Sequence, residues 1–334
     1  MPNPPAWGNR GRAMRFGHSM MLAALLVAAP VAAALPDRVY VFGDSFVDSG
    51  NANLATGGLA ANAAQGYFMG RFGDGYNFAD IISKRLTGTY ATPFLAGGTN
   101  FAVGGARAAG DASAAPFPGV IPGLTSQLGF YGSVFGSYVD PDGLYIINFG
   151  NNDVNAIQGG DTYGLTAEDY GDLFTSNIVN TVLGLNAGGA TRIIVLGVPN
   201  PTEAEGLALQ AQLDAGLDAI SPLLTAQLTR FDYFGFFNRV LATPQAYGLT
   251  ADVDFTTPCI AARPVIAGSI DCTGYFSFDG IHVTAPVQRA IAREVLIQAG
   301  LPTVPEPGTW LQMIAGFGLV GVVARRRKAV PALA

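Results

Sequence analysis

The sequence contains few of the residues that most often bind metals or carry redox chemistry. Among its 334 residues there are two histidines and two cysteines. Neither H-E-x-x-H nor C-x-x-C occurs, so no pattern indicates a hydrolytic zinc site or a redox-active dithiol. The pattern G-x-S-x-G is also absent, which excludes the nucleophile elbow built on it as the local geometry. We therefore expect chemistry that needs neither a metal nor another cofactor.

Positive charge is scarce in the central part of the chain. Of the 18 lysines and arginines, three lie in residues 1–34 and four in residues 305–334, whereas only one of the 24 acids, Glu306, lies in either segment. Residues 35–304 therefore hold 11 cations against 23 anions, a formal charge of −12. An acidic body without basic stripes repels phosphate backbones, so we expect no nucleic-acid partner.

Internal repeats are absent as well. The 44 glycines show no fixed period, which excludes collagen-like and solenoid folds. A hydrophobic fraction of 49% and an aromatic fraction of 10% are ample for a buried core and argue against disorder. No break in composition separates a second domain within residues 35–304.

The N-terminal segment has the layout of a secretory signal peptide. A basic stretch precedes a short apolar run from Met20 to Ala34, which ends in small residues of the A-x-A type. We assign residues 1–34 to this signal and expect export. A retained membrane anchor is the alternative, but the run is short for a hydrocarbon layer of about 30 Å.

Three features follow one another near the C-terminal end of the sequence. They are Val304-Pro305-Glu306-Pro307, an apolar stretch at residues 310–324, and four cations at residues 325–328. As a helix, the apolar stretch would span roughly 22 Å, which is marginal for a bilayer. A G-x-G-x-x-G match at residues 316–321 lies inside this stretch without a preceding strand, so it does not indicate a nucleotide site.

This order of features resembles the PEP-CTERM sorting signals of Gram-negative bacteria. The resemblance implies that residues 305–334 anchor the protein transiently through a short transmembrane helix. It also implies cleavage near Pro-Glu-Pro by an exosortase-type enzyme, followed by release to the cell surface or its polymer matrix. A simple C-terminal anchor is the alternative.

Between these ends, short apolar runs alternate with helical patterns. Buried strands are predicted at residues 38–45, 144–153 and 191–199, with weaker candidates at 94–103 and 251–255. Helices are predicted at residues 77–86, 126–139, 167–185, 205–231 and 286–300. This alternation is typical of a three-layer α/β/α fold, in which helices cover both faces of a mostly parallel sheet. Ligands bind such sheets beyond the carboxyl ends of the strands.

Both cysteines, Cys259 and Cys272, lie in the exported part of the chain, in a loop rich in proline, glycine and threonine. An oxidising compartment favours a disulfide between them. Closing so short a loop contributes on the order of 3 kcal/mol in the chain-entropy model.

Ser45 lies at the end of the first predicted strand, where its hydroxyl would be held rigidly at a cleft. A hydroxyl needs an adjacent base to act as a nucleophile. A helix N-cap is the structural alternative for a serine in this position.

His282 is the only imidazole of the exported part, since His18 lies in the predicted signal. Imidazole is suited to taking and returning a proton near neutral pH. A structural histidine is the alternative, although a position between a turn and a helix favours a surface cleft. Asp279 precedes His282 by three residues, so its carboxylate can reach the same ring and fix its tautomer.

Four short stretches occur in a fixed order: GDSFVDSGN at 43–51, NFAVGGARA at 100–108, FGNND at 149–153 and DGIH at 279–282. They resemble the four sequence blocks of the SGNH, or GDSL-type, esterase and lipase family. The stretch GRFGDGYNFADIIS at 70–83 is similar to another part of that family. The resemblance implies one hydrolase domain at residues 35–304, a flavodoxin-like parallel sheet of about five strands, and a catalytic triad of Ser45, Asp279 and His282.

The resemblance also implies an oxyanion hole, in which preorganised donors stabilise the tetrahedral intermediate. Its donors would be the backbone N–H of Ser45, the backbone N–H of Gly105, with Gly104 as the fallback, and the side-chain amide of Asn152. One departure from the family pattern bears on the neighbouring pocket, because Phe46 stands where many members have leucine.

The expected activity is hydrolysis of carboxylic esters by an exported serine esterase or lipase, through an acyl-enzyme intermediate on Ser45. The substrate would be a small-molecule or lipid ester. Two alternatives stay open, namely removal of acetyl groups from a surface polysaccharide and a catalytically silent matrix or adhesion protein on the same fold.

Overall fold

The structure is a computed structural model that describes residues 1–3, 35–115, 119–200 and 202–303. The predicted signal peptide and the predicted sorting signal lie outside the described residues, apart from Met1–Asn3. The strands are β1 (Val39–Gly43), β2 (Ala112–Ser113), β3 (Val120–Ile121), β4 (Leu144–Asn148), β5 (Arg192–Leu196) and β6 (Gln227–Phe231). The helices are α1 (Asn51–Ala55), α2 (Phe78–Thr87), α3 (Leu124–Phe135), α4 (Asn151–Gly159), α5 (Ala167–Ala187), α6 (Ala204–Ile220), α7 (Tyr233–Ala242), α8 (Cys259–Ala262) and α9 (Ala285–Gln298).

Four parallel strands form the central sheet in the order β1-β4-β5-β6. Strands β1 and β4 are buried at every residue, as expected for a parallel sheet covered on both faces. Alternate side chains of β1 point to opposite faces. Tyr40 and Phe42 enter one hydrophobic cluster with α3, α5 and α6, whereas Val39 and Val41 enter another with α2, α7 and α9. The predicted three-layer α/β/α fold is therefore confirmed.

A fifth extended segment runs along the outer edge of β1. The N–H of Val41 donates to the carbonyl of Thr99 at 3.1 Å, and the N–H of Phe101 donates back to Val41 at 2.8 Å. Val103 continues the pattern with a bond to the carbonyl of Gly43. When this segment is counted, the strands follow the order 2-1-3-4-5, which is the flavodoxin-like arrangement. Only its part near residues 99–103 is extended, so the weak strand prediction at 94–103 was too long.

Two other predictions were wrong. The helix predicted at 205–231 ends at Ile220, because Pro222 follows in a tight turn and residues 227–231 join the sheet edge as β6. The strand predicted at 251–255 is absent apart from an isolated bridge between Asp254 and Tyr275. The carboxylate of Asp254 accepts the N–H groups of Thr256 and Thr257, and this turn ends the extended segment.

The central predicted strand, 144–153, was also too long. It stops at Asn148, and Gly150 then adopts a φ of 132° that turns the chain into α4. The predicted strand therefore includes the first three residues of α4, and α7 was not predicted. As a result, Asn152 lies in the first turn of a helix rather than at a strand end.

Within the described ranges, no helix is long and apolar enough to span a bilayer. The transmembrane helix predicted in residues 305–334 falls outside those ranges.

Helix α2 begins with a reciprocal cap beside the first strand. The side chain of Asn77 accepts the N–H of Asp80, and the carboxylate of Asp80 accepts the N–H of Asn77. The amide of Asn77 also donates to the carbonyl of Asp48 at 3.1 Å, in the loop after β1. This single buried side chain therefore caps a helix and fixes that loop.

Replacing Asn77 with alanine should lower the free energy of unfolding by about 2 kcal/mol, since it removes a cap and leaves the Asp48 carbonyl without its donor. Urea denaturation followed by circular dichroism measures the change. Thr166→Ala is the matched control, because Thr166 caps α5 through the N–H of Asp169 at an exposed site. Its expected cost is about 1 kcal/mol or less. Equal losses in the two variants would contradict the additional role of Asn77.

Candidate active site

Ser45 lies two residues after the end of β1, in a turn at the carboxyl end of the sheet. The N–H of Asp44 donates to the carbonyl of Asn148 on the neighbouring strand, and the N–H of Asp48 closes the turn on the carbonyl of Asp44. Helix α1 begins only at Asn51. Ser45 therefore does not cap a helix, and the structural alternative for it is wrong.

The structure brings Ser45, His282 and Asp279 together. The Oγ of Ser45 lies 2.7 Å from Nε2 of His282, and Nδ1 of His282 lies 2.8 Å from Oδ2 of Asp279. A carboxylate can only accept, so Nδ1 carries the proton and Nε2 is free to accept the Ser45 hydroxyl. The arrangement can take a proton from a hydroxyl and stabilise the imidazolium that results.

Asp279 is held in its ionised form. Burial acts to raise its pKa, but the hydrogen bond from the His282 ring and the electrostatic interaction with that ring outweigh burial. The backbone N–H groups of His282 and Ile281 also donate to this carboxylate, and the pKa falls to about 2. The acceptor for the imidazole is therefore present throughout the neutral and mildly acidic range.

Aromatic side chains hold the imidazole in place. The ring of His282 lies 5.7 Å from Phe46 and 5.3 Å from Phe72, measured between centroids. Tyr67 packs edge-on against Phe72, and its hydroxyl donates to Oδ2 of Asp279 at 3.0 Å. Burial and the adjacent carboxylate raise the pKa of Tyr67 above its usual value, so the hydroxyl keeps its proton. Sequence reasoning missed Tyr67 because its partner is 212 residues away.

The loop containing Gly105 is tied to the loop containing Ser45. The N–H of Gly104 donates to Asp48 at 2.9 Å, whereas the N–H groups of Ser45 and Gly105 donate to no acceptor among the described residues. Gly105 has a φ of 87°, a conformation that favours glycine. Of the two glycines considered, Gly105 is thus the one with a free donor.

Asn152 is linked to the same loop. Its side-chain amide donates to the carbonyl of Ala106 at 3.0 Å, and this contact uses one of its two N–H donors. The neighbouring Asp153 accepts the N–H groups of Ala108 and Ala109 at 3.1 Å. The first turn of α4 therefore positions the segment that follows Gly105.

Three fully buried carboxylates anchor these loops. Asp48 accepts four backbone N–H groups, those of Gly50, Asn51, Ala52 and Gly104. Burial raises the pKa of Asp44 to about 7 and the pKa values of Asp48 and Asp153 to about 6. Their partners are backbone groups and buried side chains, so these carboxylates stabilise the loops of the candidate site from the protein interior.

Gln127 is another contributor that the sequence did not reveal. It is fully buried in α3, where its amide oxygen accepts the N–H of Gly43 at 2.9 Å and its nitrogen donates to the carbonyl of the same residue at 2.8 Å. A side chain on Gly43 would also collide with Val47 and with the carbonyl of Asn148. These constraints fix the last residue of β1 two positions before Ser45.

Cys259 and Cys272 form a disulfide behind the histidine loop. The N–H of Cys259 donates to the carbonyl of Ser277 at 2.9 Å, and the N–H of Ile260 donates to that of Phe278 at 3.0 Å. The disulfide loop therefore supports the segment that leads into Asp279. Within the described part of the chain, no group of three or more His, Cys, Asp or Glu side chains is arranged to hold a metal.

Comparison with known proteins identifies the family. Residues 39–295 match the GDSL-like lipase/acylhydrolase family, and the chain belongs to it. Residues 303–328 match the PEP-CTERM protein-sorting motif, which indicates export to the cell envelope or surface of a Gram-negative bacterium. Both resemblances predicted from the sequence are confirmed.

Individual relatives are distant. A GDSL lipase of Tanacetum cinerariifolium is 25% identical, over 82% of this chain and 90% of its own length. Acetylajmalan esterase 2 of Rauvolfia serpentina is 26% identical, over 78% of this chain and 89% of its own. Among solved structures, LAE5, an α/β hydrolase from the metagenome of Lake Arreo in Spain, is 14% identical and has a TM-score of 0.43, covering 80% of this chain and 96% of that protein.

Replacing both cysteines with alanine should lower the free energy of unfolding by on the order of 3 kcal/mol, because the unfolded chain loses a constraint. Thermal unfolding followed by circular dichroism measures the change. A reductant should lower the melting temperature of the wild type and leave that of the double variant unaltered. Equal sensitivity of both proteins to reductant would refute this expectation.

Proposed function

We propose that this protein is an exported serine esterase that hydrolyses carboxylic esters through an acyl-enzyme on Ser45. The observation that carries the proposal is the pair of contacts from the His282 ring, 2.7 Å to the Ser45 hydroxyl and 2.8 Å to the Asp279 carboxylate. Membership of the GDSL-like family supports ester hydrolysis as the reaction.

In the first half of the reaction, Oγ of Ser45 attacks the ester carbonyl while its proton passes to Nε2 of His282. Asp279 stabilises the imidazolium that forms. The tetrahedral intermediate then collapses, and His282 gives the proton to the departing alcohol. Ser45 is left as an ester of the acyl group.

In the second half, His282 takes a proton from water, and the hydroxide formed attacks the acyl-enzyme. The acid departs and the proton returns to Ser45. In both halves the developing oxyanion would accept from the N–H groups of Ser45 and Gly105 and from the amide of Asn152. The unpaired N–H groups of Ser45 and Gly105 support this role, because a donor already in use cannot serve it without cost.

The setting of the reaction follows from the sorting motif at residues 303–328. We infer that an exosortase-type enzyme cleaves near Pro305-Glu306-Pro307 after transient anchoring and that the esterase acts at the cell surface or in its matrix. A simple retained anchor would leave the esterase tethered in the envelope.

Ser45→Ala and His282→Ala should each reduce turnover of p-nitrophenyl esters by roughly a thousandfold or more, since the nucleophile or its base is lost. A fluorophosphonate should label the wild type at Ser45 and fail to label Ser45→Ala. The release of p-nitrophenol and mass spectrometry of the adduct provide the two measurements.

Ser49→Ala is the matched control. Its hydroxyl is buried four residues from Ser45 and has no hydrogen-bond partner among the described residues. The control should fold and keep its activity. Wild-type turnover in either folded site variant would rule out the mechanism.

Tyr67→Phe should move the acidic limb of the pH profile of kcat/KM to higher pH, by up to about one unit. Without the Tyr67 donor, the negative charge on Asp279 is less dispersed, so the carboxylate stabilises the protonated, inactive form of the site more strongly. Measuring kcat/KM between pH 4 and pH 9 tests this shift.

Tyr170→Phe provides the comparison, because it removes an equivalent contact. The Tyr170 hydroxyl donates to a carboxylate oxygen of Asp153 at 3.1 Å, away from the imidazole. The pH profile of kcat/KM for Tyr170→Phe should have the same midpoint as that of the wild type. Identical profiles for Tyr67→Phe and wild type would show that Tyr67 has only a structural role.

A further inference from the structure

A groove of about 480 Å³ opens beside the candidate active site. Its lining includes sequence neighbours of three site residues. Phe46 follows Ser45, Ile281 precedes His282, and Asn151 precedes Asn152. A substrate attached to Ser45 therefore has this groove within immediate reach, and its size falls in the range of small-molecule sites.

Phenylalanine side chains form much of the apolar lining of the groove. Phe237 contacts Phe276 at 5.3 Å between ring centroids. Phe46 and Phe237 both pack on the buried ring of Tyr233 behind the lining, at 6.1 Å and 5.5 Å. The apolar lining therefore extends from the residue after Ser45 to α7.

The rim of the groove leaves large apolar side chains in solvent. Phe234 is 49% exposed, Leu241 is 51% exposed and Ile281 is 59% exposed. Such a cluster at the mouth of a concave site indicates an apolar ligand that covers it. None of the lining residues in the described part of the chain carries a charge, which disfavours a charged group there.

The polar lining consists mainly of neutral asparagines, including Asn155, Asn200 and Asn238. A neutral sugar could also use such amides. Every aromatic lining residue, however, is a phenylalanine without a polar group, and the exposed aliphatic side chains of Leu241 and Ile281 lie in the same lining. An alkyl chain fits these features better.

We infer that the groove binds the acyl chain of the ester, so that the substrates are esters of medium-chain fatty acids rather than acetyl esters. This inference rests on the proposed esterase function. An acetyl group would leave most of the groove empty and its rim exposed. Phe46, Phe234 and Leu241 then determine specificity for chain length.

Measuring kcat/KM for p-nitrophenyl acetate, butyrate, hexanoate and octanoate tests the inference. We expect a rise of about fourfold for each added methylene, which corresponds to about 0.8 kcal/mol per buried CH₂. Leu241→Asp should lower the ratio of octanoate to acetate turnover at least tenfold by placing a charge in the groove. Leu223→Asp, a change at an exposed leucine outside the groove, should keep the wild-type ratio.

Two further series of substrates test the other possible occupants of the groove. Acetylated xylan and acetylated cello-oligosaccharides test a sugar in the groove, and acetate esters of straight-chain alcohols test the alcohol side. Preference for acetylated sugars, or a rise with alcohol length instead of acyl length, would overturn the inference. Both results would leave the esterase mechanism standing.

A binding experiment distinguishes failure of this inference from failure of the proposed function. Calorimetry with Ser45→Ala should show tighter binding of decanoate than of acetate, and Leu241→Asp in the same background should abolish the difference. This result would support the acyl groove even if no ester were turned over. Equal binding of decanoate and acetate would overturn it, whatever the activity.

Discussion

The hydrogen bond between Ser45 and His282 joins residues that are 237 positions apart, and the rest of the candidate site is arranged around it. It forms only if the loop before α9 reaches the carboxyl end of β1. Helix α9 packs on α2 and the sheet through Val287 and Ile291, and Gln288 accepts the N–H of Phe78 at the start of α2. The core packing of α9 therefore sets the position of the imidazole, and the aromatic rings beside it fix its orientation.

Much of this arrangement could be predicted from the sequence. The strands with long apolar runs, β1, β4 and β5, were found because a buried parallel strand is apolar on both faces. Ser45, Asp279 and His282 stood out for separate reasons, namely a strand end, a three-residue spacing and the scarcity of imidazole. The parallel topology places Ser45 at the carboxyl edge of the sheet, where such folds bind ligands. Asp279 and His282 lie in the loop before α9, and the packing of that helix brings them to the same edge.

Other features lay beyond sequence reasoning because they depend on distant contacts. Strand β6 lies at the edge of the sheet, and its polar residues, including Gln227 and Arg230, alternate with apolar ones. Its sequence therefore resembles a continuation of α6, and Pro222 is the local signal that separates the two. Gln127 and Tyr67 have ordinary polar side chains whose partners lie 84 and 212 residues away. Asp48 accepts the N–H of Gly104 across 56 residues, and no local pattern indicates this hydrogen bond.

The scarcity of histidine has a practical consequence for spectroscopy. The chain has two histidines, and only His282 lies beyond the first 34 residues. Any imidazole resonance of a protein expressed without residues 1–34 would be assigned to the site without mutagenesis. The proton shared between Nδ1 and Asp279 should resonate far downfield, and its chemical shift would respond directly to ligands that occupy the neighbouring groove.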